Sequence, residues 1–213
     1  MAYSTKTNLT SLILIATPFA YLAYLWNSLP DKVPVHFNYS GEVDRYGSKM
    51  ALLLIPILLP LLTYLLMRLV PKIDPKDQLK NMGGKYDKIT LILVGFMSAL
   101  SLFIIYTSAN PEKMQINLIS VLIGALFINL GNFMKTIKEN YFVGIRTPWT
   151  LEDPEIWKAT HKQAGYLMMI GGALLALAPL FVPNRYAMIF LMVVTLSTTL
   201  IPAINSYLMH RSK

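Results

Sequence analysis

Residues 51–70 read ALLLIPILLPLLTYLLMRLV, twenty residues with a single charge, Arg68, close to the end. A helix of that length rises about 30 Å, the thickness of a bilayer's hydrocarbon core. Pro56 and Pro60 interrupt the run. In lipid this is tolerable, because neighbouring helices and side chains satisfy the carbonyls a proline frees. The stretch therefore predicts a kinked membrane-spanning helix, with Arg68 at its inner end extending its charge toward the headgroups.

Outward from this run, five more segments have the length and apolarity of a span. The full set is Leu9–Leu29, Ala51–Val70, Ile89–Ser108, Gln115–Met134, Ala164–Val182 and Tyr186–Leu208. The first is too long and too rich in Tyr and Trp for a cleaved signal peptide. Composition agrees: 54% of residues are apolar, 14% are charged, and the mean hydropathy is +0.48. A soluble domain carries about 25% charged residues. The expected fold is an all-α integral membrane protein, one membrane domain over residues 1–213, built as a bundle of six transmembrane helices. Kinks are expected at Pro18, Pro56, Pro60, Pro179 and Pro202.

The net charge of +8 is distributed between the apolar runs, which makes it a topology signal and gives no ground for direct nucleic-acid binding. Fourteen Lys and Arg fall on the face that carries both termini, and five on the other. Positive residues collect on the cytoplasmic side, so both termini are expected in the cytoplasm. The loop over residues 30–50 is then outer, and the loop over 135–163 is cytosolic. Lipid is the expected partner of the helix surfaces. The chain has no Cys, which excludes a disulfide framework, a thiolate metal site and a Cys nucleophile.

The two long loops are where function is expected. In the outer one, PDKVPVHFNYSGEVDRYGSK (30–49), Val33, Val35 and Phe37 alternate with polar residues and suggest a short extended piece with one apolar face. Ser40-Gly41 and Arg45-Tyr46-Gly47 read as turns. The loop is either a lid over the helix ends or a recognition element for an external ligand. One His and two acids, His36, Glu42 and Asp44, are a thin basis for a metal site, and no metal or cofactor is expected. The sequon Asn38-Tyr39-Ser40 faces outward.

The cytosolic loop contains YFVGIRTPWTLEDPEIWKATH (141–161), dense in aromatic and polar residues. Asp153-Pro154-Glu155 is a helix start, with Asp as cap, Pro in the first position and an acid in the first turn. Trp157 and His161 lie four apart and share a helix face. Gly144 to Trp149 must form a compact turn, since Thr147 precedes Pro148 and is pushed out of the helical region. Trp149 and Trp157 also suit a membrane interface, so the segment is either an interfacial belt or a docking surface. Catalysis is not expected: Thr160 and His161 are adjacent on a helix and point apart, and no nucleophile with an oriented base is visible. Ion-coupled transport would need an ionisable group at mid-membrane, and no span holds an Asp or Glu. A small-molecule or lipid-interacting permease remains the alternative.

Both loops resemble the SdpI family of bacterial integral membrane proteins. The outer loop is similar to the Pro-x-His-Phe-Asn-x-x-Gly-x-x-Asp pattern often found at the amino end of such proteins, here Pro34, His36, Phe37, Asn38, Gly41 and Asp44, followed by Arg45. The second region matches the family's own signature at Gly131, Asn132, Asn140, Gly144, Ile145, Arg146, Thr147, Pro148, Trp149, Thr150, Leu151, Trp157, Thr160 and His161. The resemblance implies a multi-pass protein of the bacterial plasma membrane, active in toxin immunity and signal transduction. Its implied partners are an extracellular toxic peptide and a cytosolic repressor held at the membrane. It makes His36, Asn38, Gly41, Asp44 and Arg45 candidates for ligand sensing. It makes Asn132, Asn140, Gly144, Arg146, Thr147, Pro148, Trp149, Trp157, Thr160 and His161 candidates for docking.

Overall fold

A computed structural model describes residues 4–38, 40–74, 76, 78–79 and 82–212. Tyr39 of the sequon, and Lys80 and Lys213 of the basic residues that set the orientation, lie outside the described residues. Among the described residues six helices are long and apolar enough to cross a membrane. They are α1 (Thr5–Leu25), α2 (Lys49–Ile73), α3 (Gly84–Ala109), α4 (Ile116–Met134), α6 (Pro154–Leu177) and α7 (Asn184–Arg211), and the short α5 (Pro148–Glu152) leads into α6. Leu, Ile, Val and Met side chains stand exposed along α1, α2, α6 and α7, the surface that a lipid solvent requires.

The expected kink in α2 takes a specific form. The helix opens with a tight 3-10 turn over Lys49–Leu53 and widens to a π turn over Ile57–Leu61 around Pro60. Proline has no N–H to donate, and its ring crowds the carbonyl four residues back. A wider turn absorbs both problems without ending the span. Pro179 falls in the 3-10 turn Ala178–Leu180 that closes α6, whereas Pro18 and Pro202 lie within the continuous helices α1 and α7.

Two groups of helices build the bundle. In the first, α1 and α2 pack on α3, and Asp87 in the first turn of α3 accepts the Ser4 N–H at 3.3 Å and the Thr7 hydroxyl at 3.1 Å. In the second, α4, α6 and α7 surround a core of Phe127, Met168, Leu175, Leu191 and Val194. Two helices of that second group, α4 and α6, approach each other closely. A Cβ on Gly124 would meet the carbonyl oxygen of Gly172 at 2.5 Å, and one on Gly131 would meet that of Gly165 at 2.7 Å. Four glycines thus let the backbones of α4 and α6 touch, which is how apolar helices gain packing where water supplies no drive. The two groups meet along α3 and α4.

The extended piece expected in the outer loop is present and is paired with a second strand. Strands β1 (Lys32–Phe37) and β2 (Val43–Ser48) form an antiparallel hairpin. Arg45, Tyr46 and Gly47, read as a turn, lie within β2, and the turn is made earlier by Asn38. The Asn38 carbonyl oxygen of the side chain accepts the N–H groups of Ser40 and Glu42 at 2.9 and 3.0 Å, and Gly41 has φ +85°. Gly47 belongs in a strand here because Val35 across the pair fills the place of its Cβ, at 2.8 Å. The single apolar face is also lost. Bulges on either side of His36 break the alternation, so that Val33 and Pro34 are both buried while Val35 is exposed. Val33 joins Leu22, Leu29, Leu52 and Ile105 in a core beneath the hairpin, and Ser108 donates to the Pro34 carbonyl at 3.1 Å.

Candidate functional site

The chain crosses from one end of the bundle to the other with each long helix, so the hairpin and the loop after α4 lie at opposite ends. At the hairpin end, His36 Nδ1 lies 2.6 Å from Asp44 Oδ1, with both side chains about half exposed. Glu42 turns away from this pair and accepts the Asn38 side-chain amide at 2.9 Å. The three residues considered for a metal therefore do not converge, and no group of three potential ligands forms among the described residues. Asn38 and Gly41 shape the turn, and Arg45 projects from β2 as an exposed residue opposite His36.

At the other end, the loop between α4 and α6 is organised around His161. Its side chain is buried between α6 and the turn at Gly144. Nδ1 donates to the Trp157 carbonyl at 2.8 Å, and Nε2 accepts the Ile145 N–H at 2.9 Å. These roles fix one tautomer, a neutral ring with its proton on Nδ1. Neither nitrogen is left to serve as a base, so His161 acts here as a structural clamp. Trp157 stacks on the imidazole with centroids 3.9 Å apart and donates its indole N–H to the Ile137 carbonyl at 3.1 Å. The shared face read from the spacing is present, but Trp157 is 2% exposed. It is therefore a core residue of the loop and not part of an interfacial belt.

Asn140 does for the first half of the loop what His161 does for the second. Its side-chain oxygen accepts the N–H groups of Phe142 and Val143 at 2.9 and 2.7 Å, and its amide donates to the Lys138 and Val143 carbonyls. All four hydrogen-bonding capacities of a buried amide are used. The turn then passes through Gly144, with φ +117°, where a Cβ would collide with the His161 ring. Thr147 caps α5 in a reciprocal arrangement with Thr150, and the Thr150 hydroxyl reaches the Ile145 carbonyl at 2.9 Å. Pro148 starts α5, as its fixed φ favours. Asp153 ends α5 and caps α6, accepting the Glu155 and Ile156 N–H groups at 2.8 and 3.1 Å.

Trp149 ties this unit to the last helix. Its indole N–H donates to Ser206 at 2.7 Å, and its ring stacks on His210 with centroids 6.0 Å apart and lies tilted against Tyr207 at 5.3 Å. Ser206, Tyr207 and His210 were not among the candidates; the signal available for them was an indole donor needing an acceptor. Arg146 is exposed and donates to the Tyr141 carbonyl, and Lys76 donates to the Tyr141 hydroxyl at 3.1 Å. Asn132 stands exposed on the last turns of α4, and Thr160 is fully buried on α6 with its hydroxyl unpartnered among the described residues. The candidates thus divide. Asn140, Gly144, Thr147, Trp157 and His161 build the loop, Arg146 and Pro148 are presented on its surface, and Asn132 is exposed on α4 before it.

Residues 136–206 match the SdpI/YfhL protein family, and residues 13–59 match a domain of unknown function (DUF1648). The first match runs from the loop through α6 to Ser206; the second takes in most of α1, the hairpin and the start of α2. The chain is 24% identical over 203 residues, 95% of each protein, to "Immunity protein SdpI" of Bacillus subtilis (strain 168). A further relative, an uncharacterised protein of Archaeoglobus fulgidus, is 44% identical over 46 residues, 22% of this chain and 25% of its own length. No solved structure matches the chain. Six apolar spans make this chain a multi-pass membrane protein, and the family region laid over the clamp at His161 and its tether to α7, with a relative alignable from end to end, makes it similar to the SdpI family.

Proposed function

We propose that the chain is a membrane immunity protein that protects the cell carrying it from a secreted toxic peptide. The observation that carries this reading is the alignment with an immunity protein over 95% of both chains. An alignment that long includes both loops and all six spans, not just a shared hydropathy. In this reading both termini are cytoplasmic, the hairpin senses the peptide outside, and the loop between α4 and α6 faces the cytosol. That inner loop recruits a cytosolic repressor through Arg146 and its exposed neighbours, while His161, Trp157 and Asn140 hold it in shape. No catalytic step enters. Survival of a peptide-sensitive bacterial strain carrying the gene, scored against the same strain with an empty vector across a panel of secreted toxic peptides, tests the reading. Equal killing of both strains by every peptide would sink it.

A further inference from the structure

The surface of α4 differs from that of its neighbours. Where α1, α2, α6 and α7 face outward they present Leu, Ile, Val and Met. The exposed positions of α4 are Leu118, Ala125, Asn129 and Asn132. A groove of about 410 Å³ runs beside this face, between α3 and α4, walled by Phe96, Ala99, Leu122, Ala125 and Leu126. Asn129 is the one polar side chain that lines it among the described residues. Its amide donates one hydrogen bond, to the Ala125 carbonyl at 2.8 Å. The second N–H and the side-chain oxygen have no partner among the described residues.

Depth decides what can satisfy that amide. Asn129 is five residues from Met134, the end of α4, or about 7.5 Å along the axis. The bond to Ala125 turns the amide further from that end. It therefore lies within the roughly 30 Å of hydrocarbon, where water is absent and an unpaired polar group is costly. A lipid acyl chain has no donor or acceptor, and the ester and phosphate groups of lipids stay at the bilayer's edge. A second copy of this chain supplies what lipid cannot. Every copy inserts in the same direction, so a two-fold axis along the membrane normal brings the same amide to the same depth. An amide carries both donor and acceptor and so pairs with itself. Small residues and interhelical amide bonds are also what membrane helices use to associate. We propose that the chain forms a homodimer through the α3–α4 face, with Asn129 of each copy bonded to the same residue of the other. Dimerisation draws on no step of the immunity reading.

The test uses the full chain in liposomes, carrying donor or acceptor fluorophores on Tyr46→Cys, which is exposed on the hairpin and remote from the groove. Energy transfer followed as the protein is diluted in lipid gives the dimer dissociation constant. Asn129→Leu should raise that constant about tenfold. Ala125→Phe, which fills the groove from an exposed position, should weaken the dimer as well. The thermal midpoint of the monomer should be unchanged in both. In otherwise Cys-free chains, Leu122→Cys should oxidise to a linked dimer, and Ile189→Cys, 62% exposed on α7 away from the groove, should not. Transfer from the wild type no greater than random collision at every dilution would overturn the proposal. So would wild-type association of Asn129→Leu, or linkage through Ile189→Cys as readily as through Leu122→Cys. A phospholipid retained by a monomeric wild type and lost from Asn129→Leu would assign the groove to lipid instead. A photoreactive residue at Leu122 that captures only a different protein in native membranes would likewise remove the second copy from this face.

Discussion

Gly144 and His161 occupy one space: the imidazole nitrogen that accepts the Ile145 N–H sits where a Cβ on residue 144 would have to go. Gly144 also holds φ +117°, a region that side chains other than glycine's strain to enter at a cost of about 1–3 kcal/mol. Gly144→Ala should therefore loosen the loop on two counts. His161→Ala should loosen it differently, by leaving the Ile145 N–H without its acceptor, at about 1–3 kcal/mol. The double variant makes room for the methyl group and removes the same bond once. Its destabilisation should fall short of the sum by about 0.5–3 kcal/mol. Limited proteolysis between α4 and α6 on the detergent-solubilised protein measures this, and strict additivity would mean the two residues do not share the site.

A second relationship crosses from the loop to α7. Trp149 donates to Ser206, and Ser206 donates onward to the Ala203 carbonyl at 2.6 Å. Ser206→Ala and Trp149→Phe each remove that hydrogen bond, worth about 1 kcal/mol net. Together they should cost little more than Trp149→Phe alone. Labelling of a cysteine placed at Pro148 should speed up equally in both single variants if α5 swings away from α7. Unchanged labelling would show that ring packing on Tyr207 and His210 holds α5 without the bond.

Much of this architecture is legible in the residues themselves, and the boundary is physical. Spans are read from apolar run length, and the Asp153-Pro154-Glu155 start from capping chemistry, because both depend on neighbours along the chain. The Trp157–His161 stack follows from helical spacing for the same reason. Partners distant in sequence are another matter. The Ile145 N–H that meets His161 is 16 residues away, and Ser206 lies 57 from Trp149. The glycines at 124, 131, 165 and 172 show their seven-residue spacing in the sequence, but not which helix each faces. At the hairpin, Arg45-Tyr46-Gly47 carries turn-like composition, and only the presence of Val35 over Gly47 explains why it is strand.

The α4–α6 contact should be the least tolerant surface in the protein. A methyl group at Gly124 or Gly172 meets backbone atoms of the facing helix below 3 Å, and backbone cannot rotate away as a side chain can. Gly124→Ala and Gly172→Ala should each lower the thermal midpoint and the amount of folded protein in the membrane. Gly95, whose Cβ would meet only Leu14 at 3.8 Å, is the internal comparison and should accept Ala with little effect. Equal tolerance at the three positions would mean that the helices separate readily at this seam.

Orientation can be read with introduced cysteines, since the chain has none of its own. Tyr46 on β2 is 59% exposed, and Lys158 on α6 is exposed at the opposite end. Lys158 is the better inner site, because Asp153 caps α6 and its replacement would disturb the helix start. Tyr46→Cys should react with an impermeant maleimide on intact cells, and Lys158→Cys only after permeabilisation. The opposite pattern would reverse the bundle in the membrane and exchange the roles of the two loops.

Arg146 separates a loop that merely keeps its shape from one that also binds. Its guanidinium donates to the Tyr141 carbonyl, a contact that needs one donor, and the rest of the side chain is exposed. A lysine ammonium can supply one hydrogen bond to a carbonyl. It cannot reproduce the planar pair of donors that matches a carboxylate or phosphate. Arg146→Lys should therefore leave proteolytic resistance and membrane level near wild type. If Arg146 docks the carboxylate of a cytosolic repressor, the same variant should lose most of its reporter output, almost as far as Arg146→Ala. Wild-type output from Arg146→Lys would confine the residue to a point charge near the headgroups. Loss of both output and proteolytic resistance in Arg146→Lys would place its work within the loop, at Tyr141, and remove it from the docking surface.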